Sequence, residues 1–482
     1  MYIKSNGQIS LAEFFSPFEE LDSNNRWAKI ANMIPWQKYE AKYAEQFCKD
    51  NGAPAISFRM AMGTLIIKQR TGHSDEEVLQ DILENPYMQY LIGLHEFTIK
   101  EPFASSSITN FRKYITEEMI NEINKDMFGN DKNNGGTGNG GETGNPDKSD
   151  EPERFEEPDK TNKGTIMLDS TCTPANIAYP TDVNLLNEAR EKLEGIIDNL
   201  HRQSSTGIRK PRTYRQTARI KYLRFIRNRK PSKAAIRKII GQQIRYVGRD
   251  LRNIEKQLQE VNEEVLNNSQ QRWLRTIRTL YRQQKQMFET HTHTVEDRIV
   301  SIGQPHVRPI VRGKTNASVE FGAKISVSMV DGYAFVEKMS WDAYNEESTL
   351  IPAIEAYKER YGYYPEAVLA DKIHRNRNNL AYCRQKGIRL SGPRLGRPSK
   401  TTNLLEIEQE RNDASRRNSI EGKFGEGKVR YGLDTVMARL KNTSETVITM
   451  SFFCMNISRR LRVLFYRFFC MAEYMFGFVK YC

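Results

Sequence analysis

The stretch GAKISVSMVDGYAFVEK, residues 322–338, decides the class of fold. Apolar residues occupy every second position from Ala323 to Met329, with polar residues between them. That alternation predicts a strand with one buried face, and Asp331-Gly332 predicts a tight turn into a second strand. The chain is therefore expected to contain an antiparallel hairpin.

The residues that follow the hairpin alternate between helix and strand patterns. EESTLIPAIEAYKERYG, residues 346–362, predicts a helix, and EAVLAD predicts a short buried strand that ends on Asp371. A further helix, the strand IRLSG and a helical approach to Glu421 come next. Such an alternation is typical of βαβ crossovers and parallel strands.

The residues before the hairpin add one strand and a long insertion. The apolar run from Thr165 to Leu168 predicts a buried strand that ends on Asp169. Residues 182–298 read as a basic helical insertion between this strand and the hairpin. Without the insertion, the pattern predicts an α/β fold built on a mixed sheet.

Three carboxylates are expected to meet at one end of this sheet. Reactive groups gather at the carboxyl ends of strands in open α/β sheets, and Asp169 and Asp371 both occupy predicted strand ends. Glu421 is placed to close the site from its helix. Three carboxylates supply hard oxygen ligands that suit Mg²⁺ or Mn²⁺. Two such ions activate an attacking oxygen and stabilise a leaving oxygen in phosphodiester chemistry.

The N-terminal part of the chain, residues 1–128, reads as helical. One helix pattern ends at Gly72, and the next opens with a capping box formed by Ser74 and Glu77. Two short helices around this turn fit a helix-turn-helix DNA reader, and they equally fit a plain helical bundle. Residues 129–163 are rich in Gly, Asn, Pro and charge, which predicts a flexible linker.

The charge of the chain predicts a polyanionic partner. The net charge is +13 with a pI near 9.2. Residues 201–290 alone hold 23 Lys and Arg against 6 Asp and Glu, a net charge of +17, with interleaved aromatic side chains. A segment whose charges are mostly positive, with aromatic side chains among them, is more typical of a nucleic-acid-binding surface than of a helix face that is merely solvated.

The sequence predicts a cytoplasmic protein with no membrane anchor. The start lacks a secretory apolar region, and arginines interrupt the apolar C-terminal segment, residues 441–482, which reads as buried helix. Six widely spaced cysteines without a C-x-x-C pair fit neither a disulfide framework nor a zinc ribbon.

Several stretches together resemble the DDE transposases of bacterial insertion sequences, in particular the insertion-sequence-five group and its relatives. The stretches are AISFRMAMGTLIIKQRTGHSDEEVLQDILENPYMQYLIGL (55–94), MLDSTCTPANIAYPTDVNLLNEARE (167–191), PHVRPIVRGKTNASVEFGAKISV (305–327) and RRNSIEGKFGEGKVRYGLD (416–434).

The resemblance implies a fold, a site and a set of partners. The catalytic domain would be ribonuclease H-like, formed by residues 164–181 and 299–440, with a helical DNA-binding domain before it. The acidic triad falls on Asp169, Asp371 and Glu421, which would hold two Mg²⁺ or Mn²⁺ ions. The implied partner is double-stranded DNA, namely the terminal inverted repeats and the target, bound by a homodimer.

The resemblance also implies DNA-binding residues. The related insertion-sequence-four pattern has Arg four residues before the Glu and Lys seven after it, and these fall on Arg417 and Lys428. Its Tyr falls on Ala414, and His374 stands where relatives often have Tyr. The remaining basic residues that we assign to DNA are Arg308, Arg312 and Lys314.

Three alternatives remain open from the sequence. The same three acids could serve a site- or structure-specific nuclease that uses only water as the nucleophile. The chain could also be an inactive DNA-binding protein, although it retains all three acids. Finally, Arg417 could merely pair with a nearby acid, such as Asp413, on a solvated helix.

Overall fold

A computed structural model describes residues 17–48, 54–129, 162–203, 210–260, 265–311, 319–392 and 404–476. The predicted linker therefore lies almost wholly outside the described residues. The N-terminal part of the chain is helical. The helices are α1 (Arg26–Met33), α2 (Trp36–Ala44), α3 (Phe58–Thr71), α4 (Asp75–Glu84), α5 (Pro86–Leu91), α6 (Ser107–Tyr114) and α7 (Glu117–Phe128).

The turn between α3 and α4 forms as the sequence predicts. Gly72 adopts the left-handed conformation (φ 74°) that ends α3, and Ser74 with Glu77 makes the capping box of α4. Most of α3 is buried, and the first turn of α4 carries three acidic residues, which would repel DNA phosphates. These observations favour the helical bundle over a helix-turn-helix reader.

A six-stranded mixed sheet forms the centre of the molecule. Its strands run in the order β2-β3-β1-β5-β6, and β4 also pairs with β3. Strand β1 is antiparallel to β3 and parallel to β5. The strands are β1 (Thr165–Pro174), β2 (Arg308–Val311), β3 (Val319–Val330), β4 (Tyr333–Ser340), β5 (Ala367–Ala370) and β6 (Arg389–Leu390).

Strand β1 is longer than the sequence predicts. We expected it to end on Asp169, but it continues to Pro174 because the residues from 170 onward keep pairing with β3. Thr171 and Thr173 are β-branched and suit this position, whereas the apolar run used for the prediction had already ended. Asp169 therefore lies within β1. It nevertheless stands one residue beyond the parallel pairing with β5, which ends at Leu168 opposite Ala370.

Helices cover both faces of the sheet. On one face α12 (Leu350–Tyr361) packs against Ile166 and Leu168 of β1. On the other face, α14 (Leu404–Arg430), α15 (Lys441–Phe476) and the N-terminal helices share one core with the sheet. Between β5 and β6 lies α13 (Arg377–Gln385).

Helix α15 also closes the edge of the sheet. β4 pairs only with β3 among the described strands, so its outer edge leaves backbone groups to be satisfied. The Asn456 side chain accepts a bond from the Ala334 N–H (2.8 Å) and donates to the Ala334 carbonyl oxygen (2.7 Å). It also donates to Oδ1 of Asn124 in α7 (2.9 Å). The N-terminal helices are thereby tied to the sheet through α15. Nowhere in the described ranges is there a helix long and apolar enough to span a bilayer.

The insertion forms a helical unit with its own core. Three of its helices bury apolar residues against one another, and α9 packs beside them. The division of the chain into domains at the predicted boundaries stays a prediction. The helices of the insertion are α8 (Asp182–Gln203), α9 (Arg215–Ile226), α10 (Lys233–Glu260) and α11 (Asn268–Thr290).

A half-buried carboxyl at the junction of α7 and α15, that of Glu117, should make stability depend on pH. Burial, with Glu445 and Glu118 nearby, raises the pKa of Glu117 from 4.5 to about 7. The charged form is disfavoured in the fold, so the free energy of unfolding falls as the pH rises from about 4.5 through about 7. We expect Glu117→Gln to stabilise the protein by about 2 kcal/mol at pH 8, after allowance for its position at a helix N-terminus and for partial solvent screening.

Thermal unfolding of Glu117→Gln at pH 5 and pH 8 tests this expectation. The gain should largely vanish at pH 5, where Glu117 is already protonated in the folded protein. Glu118→Gln is the matched control, because Glu118 is the exposed neighbour of Glu117 on α7. An equal gain for the two variants at pH 8 would contradict the argument from burial.

Candidate active site

Two of the three predicted acids occupy neighbouring positions on adjacent strands. Leu168 and Ala370 are register partners in the parallel pair β1–β5, so Asp169 and Asp371 follow at the same edge. Asp371 comes directly after β5 and caps a short 3₁₀ helix, where its Oδ1 accepts a bond from the Lys372 N–H (2.7 Å). Its side chain stands in solvent, whereas that of Asp169 is mostly covered.

Glu421 reaches the same region from α14. This helix packs across β1 and β5, and it buries Ile420 and Phe424 in the core beneath the N-terminal helices. Glu421 is adjacent to the buried Ile420 but keeps 59% of its side chain exposed. Because α-helices repeat every 3.6 residues, Arg417, Glu421 and Lys428 lie along one face of α14.

Arg417 stands between two of the acids. Its Nη1 lies 3.9 Å from Oδ2 of Asp169, and its Nη2 lies 3.8 Å from Oε1 of Glu421. Both separations are at the long end for an ion pair, so neither carboxylate is held in a bidentate hydrogen bond. The cationic guanidinium of Arg417 thus lies between the carboxylates of Asp169 and Glu421.

The charge environment of Asp169 includes both of the other predicted acids. Burial raises the pKa of Asp169 above its usual range. The backbone hydrogen bond from Ser170 and the charge of Arg417 oppose this shift, while the charges of Glu421 and Asp371 add to it. A buried carboxylate with two acidic neighbours gains stability from any cation placed among them.

The donor chemistry fits a hard divalent cation. Asp169, Asp371 and Glu421 offer only carboxylate oxygens, which are the ligands that Mg²⁺ and Mn²⁺ prefer. In the described parts of the chain, no three His, Cys, Asp or Glu side chains are arranged closely enough to hold a metal ion. Two of the proposed ligands, Asp169 and Glu421, each face the guanidinium of Arg417 instead.

The sequence-based alternative for Arg417 named the wrong partner. Asp413 is buried and pairs with Arg389 of β6 through both guanidinium nitrogens. This pair fastens the middle of α14 to the edge of the sheet. Asp413 therefore supports the helix that carries Arg417 and Glu421.

The structure does not bring Arg308, another of the proposed DNA ligands, to the three acids. Arg308 lies on β2, and β3 separates that strand from β1. Its Nη1 donates to the backbone oxygens of Pro305 and Val307, so the guanidinium is already engaged by its own loop. Arg312 and Lys314 lie outside the described residues. Contact with DNA stays a prediction for all three.

Sequence reasoning missed the residues that hold the Asp371 loop in place. Arg375 donates from Nη1 to the carbonyl oxygens of Leu390 (2.6 Å) and Ser391 (2.9 Å), which ties this loop to the end of β6. His374 is buried beside Asp371, and its burial lowers the pKa of the imidazole. The only signal in the sequence was the run KIHRNRN itself, which gives no indication of which basic residue turns inward.

Comparison with known families bears directly on this geometry. Residues 368–458 match the family described as Transposase DDE domain, a range that includes Asp371 and Glu421. Residues 15–114 match a second family, described as Transposase domain (DUF772). Each match covers about a fifth of the chain, and the two together support the resemblance to DDE transposases. Both matches lie where the sequence resemblance placed the transposase motifs.

One curated relative has been described only by its location. The chain is 32% identical over 97 residues to "Uncharacterized protein ORF8 in nfe locus" from Rhizobium meliloti. That alignment covers 20% of this chain and 46% of the relative, so the chain spans just under half the length of the curated relative that it matches. No solved structure matches the chain.

Proposed function

We propose that the chain is a DNA transposase that cleaves and joins DNA strands at the ends of an insertion sequence. The observation that carries the proposal is the placement of Asp169 and Asp371 at the end of the parallel pair β1–β5, with Glu421 facing them from α14. The transposase family matches support it. Divalent metal ions are general in the DDE family, and we propose Mg²⁺ or Mn²⁺ in a two-ion site.

We also propose that the catalytic domain is ribonuclease H-like. Its support is the order of the elements: an antiparallel hairpin beside β1, then helical crossovers to β5 and β6 on the other side of β1. The proposed domain comprises residues 164–181 and 299–440, interrupted by the helical insertion. Residues 1–128 and 182–298 would be DNA-binding units, and 441–482 a C-terminal helical segment.

The side chains of the site have separable roles in this proposal. Asp169, Asp371 and Glu421 would hold the ions, which when bound supply positive charge for the attacking and leaving oxygens of a phosphodiester. Arg417 and Lys428 would bind phosphates on either side of Glu421, because they share its helix face. In cleavage, water attacks phosphorus and the 3′ oxygen leaves as a hydroxyl. In joining, that hydroxyl would attack a phosphodiester of the target DNA, and the target's own 3′ oxygen would leave as a hydroxyl, so one phosphodiester bond forms as another breaks.

The proposed partners are double-stranded DNA and a second copy of the chain. The net charge of +17 over residues 201–290 supports the first, because affinity for DNA comes chiefly from neutralised phosphates. We propose that a homodimer binds the two ends of the element, and that it does so in the bacterial cytoplasm.

A plasmid assay tests this function. We expect the wild-type protein with Mg²⁺ to nick a plasmid at the junctions of the DNA that flanks the gene, and to join the freed ends to target DNA. A plasmid with shuffled flanks is the control. Hydrolysis without joining would identify a nuclease, and binding without any cleavage in Mg²⁺ or Mn²⁺ would identify an inactive DNA-binding protein.

A further inference from the structure

Helix α9 (Arg215–Ile226) of the insertion is held firmly but almost wholly in solvent. All of its residues are described, and Ala218 alone among them is buried. A helix that contributes so little to the core gains little stability from packing. Its position must therefore be maintained by other contacts, and the structure contains them.

Polar contacts anchor one side of α9. At its start, Arg215 forms a bidentate pair with Asp198 of α8, with separations of 2.9 and 2.7 Å. Just before it, the guanidinium groups of Arg212 and Arg249 lie 4.8 and 4.6 Å from the ring centre of Tyr214. Along the helix, the Tyr222 hydroxyl donates to Asn184 of α8 (3.2 Å).

The outer side of α9 mixes large aliphatic residues with arginines. Ile220, Leu223 and Ile226 are 58%, 41% and 46% exposed. Arg219 and Arg224 are also exposed, and helical spacing places all five within one half of the helix surface, with Ile226 nearest to Ala218 and the other four on the side turned away from it. A helix kept only for solubility would not expose three such aliphatic side chains together.

From this surface we propose that α9 enters the major groove of the DNA at the ends of the element and reads bases there. The inference rests on the proposed transposase function. An α-helix fits the major groove, which is about 12 Å wide, and α9 at about 18 Å is long enough to cross several base pairs. Arginine pairs with guanine edges, and aliphatic side chains contact thymine methyl groups.

One observation favours DNA over a second copy of α9 as the partner of this helix, and another favours α9 over the N-terminal helices as the base reader. Helix α9 carries no acidic residue, so two copies of it would repel each other at a shared interface. Helix α4 of the N-terminal part opens with Asp75, Glu76 and Glu77, which disfavours its approach to phosphates. Base reading is thereby assigned to the insertion, whereas the resemblance implies a DNA-binding domain in the N-terminal part.

The test compares α9 with an equally charged site elsewhere in the insertion. Arg219→Gln/Arg224→Gln removes two exposed charges from α9, and Arg245→Gln/Arg252→Gln removes two from α10. The probes are overlapping duplexes that tile the DNA on both sides of the gene, each paired with a shuffled duplex of the same composition. Fluorescence anisotropy gives the preference of each protein for the native duplex.

We expect the α9 double variant to lose roughly 5- to 150-fold of that preference, the range for loss of one good base contact. The α10 variant should weaken binding to native and shuffled duplexes alike. Leu223→Ala changes no charge, so it should reduce preference while leaving the salt dependence of affinity unchanged.

Three results would overturn the role of α9. If the α9 and α10 variants lose equal amounts of preference for the native duplex, α9 contributes only positive charge to DNA binding and does not read bases. Unchanged preference with an altered sedimentation coefficient would make α9 an interface between copies of the chain. If the wild-type protein shows no preference for any native duplex, α9 reads no sequence. The proposed function would then still be tested separately, by measuring metal-dependent cleavage in the carboxylate variants.

Discussion

Asp371→Asn is expected to abolish DNA strand cleavage and to leave DNA affinity almost unchanged. Asparagine keeps the shape of the side chain and can still cap the 3₁₀ helix that follows β5, so the loop should remain folded. It removes one of the charges proposed to hold the metal ions. Metal-assisted catalysis supplies several kcal/mol to phosphodiester cleavage, so the rate should fall by at least about 10³-fold.

The same loss is expected for Asp169→Asn and Glu421→Gln. Cleavage is measured on the plasmid with native flanks, and affinity is measured on the same DNA without metal. Glu366→Gln is the matched control, because Glu366 is exposed and directly precedes β5, at the end of that strand away from Asp371. If any of the three variants cleaves at nearly the wild-type rate, its carboxylate does not belong to the site.

Much of the sheet was predictable, because its signals are local. The alternation in residues 322–338 specifies a strand with one buried face, and the β3–β4 hairpin forms around Asp331 as predicted. The parallel pairing of β5 with β6 was also within reach, since a strand, a helix and a second strand in sequence favour parallel neighbours. By contrast, nothing local marked β2 as a strand, because its four residues gain their pairing only from β3.

The contacts within the site were less predictable, because they depend on distances between elements remote in sequence. The spacing of four residues indicates that Arg417 and Glu421 share a helix face, and the structure confirms this. The contact between Arg417 and Asp169 joins residues far apart in the chain, so no periodicity could reveal it. For the same reason the sequence could not show that Asp413 pairs with Arg389, which reaches it from β6, and not with Arg417.

Arg417→Ala is expected to slow strand cleavage by roughly 10²–10³, the scale for removing one oriented donor to a developing negative charge. Arg417 is already directed toward Asp169 and Glu421, so a phosphate bound beside these acids would lie within its reach. Its planar fork can bond two phosphate oxygens at once. Arg417→Lys should therefore recover only part of the rate. With Ala414 at the position of the relatives' tyrosine, no second donor from that position can compensate.

Metal titrations separate this role from a purely structural one. In the protein–DNA complex, Arg417→Ala should leave Mn²⁺ affinity almost unchanged, because Arg417 would then bind phosphate. Without DNA, the same variant should bind Mn²⁺ up to about fivefold more tightly, because two partly exposed ion pairs no longer compete for Asp169 and Glu421. Unchanged Mn²⁺ affinity with DNA, together with tighter Mn²⁺ binding without DNA, would show that Arg417 moves from the carboxylates to the DNA backbone when DNA binds. A cleavage rate within about threefold of wild type, under about 1 kcal/mol of barrier, would instead leave Arg417 as an ion-pair partner that takes no part in catalysis.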